Sequence, residues 1–99
     1  MLLHLNNEDF KNEVQEGIVI VDFYATWCGP CKMLSPVLEE VSDTFKVIKV
    51  DVDKHEDLAK EFGIMSVPTI MIYKDGNIEK SLVGFMPKDA LLSEINNIK

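Results

Sequence analysis

The chain has two cysteines, three residues apart in Trp27-Cys28-Gly29-Pro30-Cys31-Lys32. These six residues sit where an apolar run ends and a helical pattern begins. Residues three apart share a helix face, so the two sulfurs lie on one side with their Cα atoms within disulfide reach. Cys28 stands at the mouth of the helix, where unpaired backbone N–H groups and the positive end of the dipole favour an anion. Here that anion is a thiolate. Cys31, one turn further in, is expected to be more enclosed and to keep its proton longer, which reads as an attacking thiol followed by a resolving thiol. Pro30 fits the first helical turn, where its missing N–H has no partner to lose. The competing readings of such a pair are half a zinc site and an inert structural disulfide. His4 and His55 complete no usual ligand spacing and read as surface histidines, so no metal site is expected.

A second group with chemical potential is Asp22, inside the run Ile18-Val19-Ile20-Val21-Asp22-Phe23-Tyr24. That run is apolar on both faces, as in a central strand covered on both sides. A carboxylate there is costly to ionise and should carry a raised pKa.

The elements that position these groups can be followed along the chain. Leu3 and Leu5 alternate as in a short strand, after which Asn6 or Asn7 can cap a helix opened by Glu8 and Asp9 and ended by Gly17. From Gly29 to about Phe45, Leu34, Val37, Leu38, Val41 and Phe45 follow the helical period. Pro36 interrupts that helix and is expected to kink it without breaking it. Val47 to Val52 is the next strand, joined to the previous one by a right-handed crossover and parallel to it. A short helix, Glu56 to Phe62, is closed by Gly63. Val67-Pro68 opens a strand through Tyr73, which turns at Asp75-Gly76 into an antiparallel partner, Ile78 to Val83. A final helix begins near Pro87 or Lys88, with Leu91, Leu92, Ile95 and Ile98 on its buried stripe. The expected fold is α/β, a central mixed β-sheet flanked by helices on both faces, in one domain spanning residues 1–99.

Composition narrows the function. Ten basic against seventeen acidic residues give a net charge of −7, which opposes contact with phosphate backbones or anionic membranes, so neither nucleic acid nor membrane is an expected partner. No apolar run is long enough to span a bilayer. Met1 to Glu8 has neither the basic nor the apolar region of a secretory signal. A single close cysteine pair suits redox chemistry in a reducing compartment better than the stapling of a secreted domain, so a cytoplasmic location is expected.

Val21-Asp22-Phe23-Tyr24-Ala25-Thr26-Trp27-Cys28-Gly29-Pro30-Cys31-Lys32 resembles the active-site segment of the thioredoxin family. Val67-Pro68-Thr69 resembles that family's substrate-facing loop. Two separated motifs in the right element order make the likeness specific, and it covers nearly the whole chain. The resemblance implies the thioredoxin fold and a general protein-disulfide reductase. Cys28 would attack a substrate disulfide, and Cys31 would resolve the mixed disulfide and close the Cys28–Cys31 bond. No bound cofactor is implied beyond that redox-active disulfide. The implied partners are disulfide-containing proteins and a thioredoxin reductase, either an NADPH-dependent flavoprotein or a ferredoxin-dependent enzyme. The simplest assembly is a monomer.

The resemblance also implies roles for further residues. Asp22 matches a buried general base that helps deprotonate the resolving thiol, and Lys49 matches a lysine that tunes it. Pro68 matches a cis-proline. Trp27, Gly29, Pro30, Val52, Val67, Pro68, Val83 and Gly84 match the substrate-docking surface, where a neighbouring backbone pairs with an extended substrate segment. Phe85 is bulkier than the small residue often found after that glycine, and Tyr24 replaces a common Trp. Met33, Met65, Met71 and Met86 read as core or groove filling. The rival functions are an oxidase or isomerase on the same fold, and a binding module that acts whatever its redox state.

Overall fold

In a computed structural model, which describes all residues 1–99, the chain forms nine elements. These are β1 (Leu2–His4), α1 (Phe10–Glu13), β2 (Ile18–Tyr24), α2 (Gly29–Val41), β3 (Lys46–Asp51), α3 (Glu56–Glu61), β4 (Thr69–Lys74), β5 (Asn77–Val83) and α4 (Lys88–Ile98). The five strands make one sheet in the order β1-β3-β2-β4-β5. β1, β3 and β2 run parallel, whereas β4 runs antiparallel to β2 and β5 antiparallel to β4.

Period-two alternation sends the strand side chains to two separate cores. Val19, Val21, Phe23, Ile48 and Val50 face Phe10 and Val14, with Leu58 and Phe62 packed against them, on the side of α1 and α3. Ile20, Val47, Ile70 and Ile72 face Leu34, Leu38, Val41, Leu91 and Ile95 of α2 and α4. The mixed sheet with helices on both faces is as expected.

The boundaries depart from the sequence reading in instructive places. The first helix is a single turn that starts at Phe10, because Asp9, and not Asn6 or Asn7, accepts the capping hydrogen bond from Lys11 N at 3.1 Å. It stops at Glu13, and Gly17, at φ 68°, belongs to the turn into β2. α2 runs unbroken through Pro36 and ends at Val41, four residues before Phe45. There the Ser42 hydroxyl donates to Glu39 O at 2.6 Å and occupies one of the helix's last carbonyls. Leu5 lies beyond the end of β1, yet its N–H still donates to Lys49 O at 2.9 Å and its side chain reaches the first core.

Asp75 and Gly76 form the two-residue turn between β4 and β5, both with positive φ (49° and 87°), the geometry that suits the twist of a tight hairpin. Asp75 also ties this turn to the one before β2. Its N–H donates to Gly17 O at 3.0 Å, and its Oδ1 accepts from Gly17 N at 2.8 Å.

Candidate active site

Cys28 is the N-cap of α2, with extended backbone (φ −91°, ψ 117°). Its Sγ accepts a hydrogen bond from Cys31 N at 3.2 Å, so a helix-terminal N–H points at the sulfur that would carry negative charge. Pro30 lies in the first turn. The two cysteines are joined in a disulfide, with Cα atoms 5.2 Å apart. Both are buried, Cys28 6% and Cys31 3% exposed, so the expected contrast in enclosure is small. What separates them is position: only Cys28 has its sulfur at the helix terminus.

The loop before β4 closes over the pair. The Val67–Pro68 peptide bond is cis, Pro68 is buried, and Val67 O lies 3.6 Å from Cys28 Sγ. Gly84, at φ 98°, donates its N–H to Pro68 O at 2.9 Å and so ties the end of β5 to this loop. Val52 and Val67 are half-buried against the cluster of Ala25, Cys28 and Cys31. Trp27 is 70% exposed, and its indole Nε1–H donates to Asp53 Oδ2 at 3.0 Å. Gly29 and Pro30 are exposed beside it, and Val83 is exposed at the end of β5.

Seven large apolar side chains remain exposed in the whole molecule, and five of them, Trp27, Met33, Met65, Val83 and Phe85, belong to the segments that carry or flank this site. Met65 is 95% exposed and Met33 is also on the surface, so neither is core; Met71 is.

Asp22 is fully buried on the α2 and α4 side of β2, and neither carboxylate oxygen has a hydrogen-bond partner. Burial pushes its pKa from 3.8 up to about 7, against the opposing pull of the Lys49 ammonium. Lys49 stands at the paired position on β3. It makes no ion pair with Asp22. Its Nζ donates to Ser35 Oγ at 3.1 Å and sits 4.5 Å from the centre of the Tyr24 ring. Tyr24's own pKa is raised by burial first, then by Asp51 and Asp22.

A pocket of about 310 Å³ lies against Cys31 and is lined by Tyr24, Ala25, Thr26, Lys32, Ser35 and Lys49. A much larger cleft, about 1240 Å³, lies by α1 and α3 and touches neither cysteine, so chemistry and not volume locates the site. Ser35 and Asp53 were missing from the sequence reading. Ser35 sits one turn after Cys31 on the same helix face, a spacing that could have flagged it. No group of three or more histidine, cysteine or acidic side chains is arranged to hold a metal ion. No helix is long and apolar enough to cross a membrane.

The family profile described as thioredoxin matches residues 1–97. The chain belongs to the thioredoxin family. It is 43% identical to the thioredoxin of Bacillus subtilis over 99 residues, covering 96% of this chain and 95% of that one. It is 42% identical to the thioredoxin of Listeria monocytogenes over 100 residues, with 97% of both chains covered. Among solved structures, a mutant thioredoxin of Halobacterium salinarum superposes with a TM-score of 0.91 at 35% identity, over 97% of this chain and 88% of that one. The Malassezia sympodialis thioredoxin gives 0.83 at 39% identity, over 97% and 91%. The architecture is the thioredoxin fold, and the chain is a thiol-disulfide oxidoreductase whose redox-active centre is the Cys28–Cys31 pair.

Proposed function

We propose that the chain works as a general protein-disulfide reductase, with Cys28 as nucleophile and Cys31 as resolving thiol. The observation that carries this reading is the Cys28 sulfur at the N-cap of α2, held by the Cys31 N–H inside an exposed apolar rim. In the dithiol form, the Cys28 thiolate attacks one sulfur of a substrate disulfide. A mixed disulfide forms, and the other substrate sulfur leaves as a thiolate that takes up a proton. Cys31 then loses its proton and attacks Cys28 Sγ, which releases the second substrate thiol and closes the Cys28–Cys31 bond. Two electrons pass to the substrate.

Asp22 receives the Cys31 proton through water, a task suited to a buried carboxyl that titrates near neutral pH, and Lys49 tunes it. Trp27, Gly29, Pro30, Val52, Val67, Pro68, Val83 and Gly84 form the docking surface. The substrate segment lies extended against the loop before β4 and pairs with its backbone, while its side chains contact the apolar rim. Phe85, 39% exposed, makes that rim bulkier. A thioredoxin reductase, NADPH- or ferredoxin-dependent, restores the dithiol, with no cofactor bound to this chain. It acts as a single-domain monomer in the cytoplasm.

The first test is the reduction potential of the Cys28–Cys31 pair, read by equilibration with graded dithiol buffers and mass counting of alkylated thiols. A reductase requires a value more negative than the glutathione pool, about −240 mV, on a scale where thioredoxin is itself a reference point. A distinctly oxidising value means disulfide formation or isomerisation instead. Cys31→Ser should then hold substrates as mixed disulfides on Cys28; recovery of free Cys31→Ser protein alone defeats the assigned roles.

A further inference from the structure

Paired positions on neighbouring strands lie about 5 Å apart, and a lysine stem is longer than that. Lys49 and Asp22 occupy such a pair on the same side of the sheet, and both are buried. A buried carboxylate with no hydrogen-bond partner is a strong attractor for an ammonium. The two nevertheless form no ion pair, although the lysine stem is long enough to make one.

Two groups hold the lysine head. Ser35 Oγ accepts from Lys49 Nζ at 3.1 Å, and the Tyr24 ring faces the ammonium at 4.5 Å. We propose that Ser35 is a positioning residue which, together with Tyr24, anchors the Lys49 ammonium away from Asp22 and thereby sets the pH at which Asp22 exchanges its proton.

Little else is available to set it. β4 presents Ile70 opposite Asp22. α2 and α4 line this side with Leu34, Leu38, Leu91 and Ile95, and with Cys31 in its disulfide. On β2 the one neighbouring titratable group is Tyr24; Asp51, on β3, acts on Tyr24, and on β1 His4 is paired with Lys49 but is exposed to solvent. Lys32 borders the same pocket from α2 but is exposed to solvent. Lys49 is therefore the charge that matters, and its orientation is the adjustable quantity. Without Ser35, the ammonium loses its oxygen acceptor and the unpartnered carboxylate becomes the nearest replacement, which favours the charged form of Asp22.

The functional weight of this device rests on the proposed role of Asp22 in resolution, but its test does not. The Asp22 side-chain carboxyl is followed by carbon NMR through pH 4 to 9, roughly the range around its titration, in the oxidised protein, so that no thiol titrates. In Ser35→Ala the midpoint should fall by about one pH unit or more, the scale of a carboxylate gaining an adjacent cation. Ser35→Thr, which keeps the hydroxyl, should restore it. In a Lys49→Met background, Ser35→Ala should leave the midpoint where it stands. Alanine is the better helix former, so the variant keeps its fold.

An unmoved midpoint in Ser35→Ala overturns the proposal, and so does an equal fall without Lys49. The pH profile of mixed-disulfide resolution is then compared with the titration. If the carboxyl moves and the profile does not, the anchor stands and the base role of Asp22 fails; if both move together, both stand.

Discussion

Replacing Asp22 by asparagine should stabilise the oxidised protein, and by an amount that grows with pH. The carboxyl is fully buried without a hydrogen-bond partner, and burial carries its pKa from 3.8 to about 7. Between those values the folded chain holds a proton that the unfolded chain has released. Stability therefore falls as pH rises through that window, and the loss is complete above the folded value. A separation of about 3 pH units corresponds to a full loss of about 4 kcal/mol, of which about 2 is already lost by pH 5. The substituted amide carries no charge in either state. The stability difference between Asp22→Asn and the parent should therefore widen by about 2 to 3 kcal/mol between pH 5 and pH 8. Urea unfolding of both oxidised proteins at several pH values measures it, and the subtraction cancels every other titrating group. A difference that stays constant over that range refutes the burial argument, because steric effects of the amide do not depend on pH.

Three other perturbations test the scaffold. Leu34→Ala opens a hole in the core between α2 and the sheet, where Leu34 is fully buried, and should cost about 3 kcal/mol in urea unfolding. Asp75→Ala loses the acceptor for Gly17 N and puts alanine at a positive φ, which should cost about 1 to 2 kcal/mol; Asp75→Asn, which tolerates that φ and keeps an acceptor, should cost less. Lys80→Met removes the half-exposed pair with Glu94 and should change the unfolding free energy by less than about 1 kcal/mol.

The sheet was legible because its strands carry their environment in their composition. Ile18 to Tyr24 is apolar on both faces, and helices cover both faces. Asp75-Gly76 marked the hairpin for a steric reason, since both residues must take positive φ. Helix ends were less legible. Any of Asn6, Asn7 or Asp9 has a side chain that can cap, and the choice of Asp9 depends on where the chain turns to place Phe10 in the first core. At the site, Cys28 and Asp22 could be read from local pattern. The head of Lys49 could not, because its partner Ser35 lies on a helix fourteen residues away in sequence, and hydroxyls on helices are common.

The seam between β2 and β4, where the sheet changes from parallel to antiparallel, is fastened at both ends. Beyond Ile18 and Lys74, the two hydrogen bonds between Gly17 and Asp75 clasp it. At the other end, past Phe23 and Thr69, the loop of Val67 and Pro68 is packed against Cys28. Each end of the seam is thus tied to a neighbouring segment, one to the turn before β2 and the other to the cysteine motif. In the proposed exchange three sulfurs come into line, and a centre tied in this way would leave most of that movement to the partner. Disulfides in loops that can be drawn out would then be reduced faster than those braced within a folded core, a difference that reduction rates on one substrate of each kind would measure.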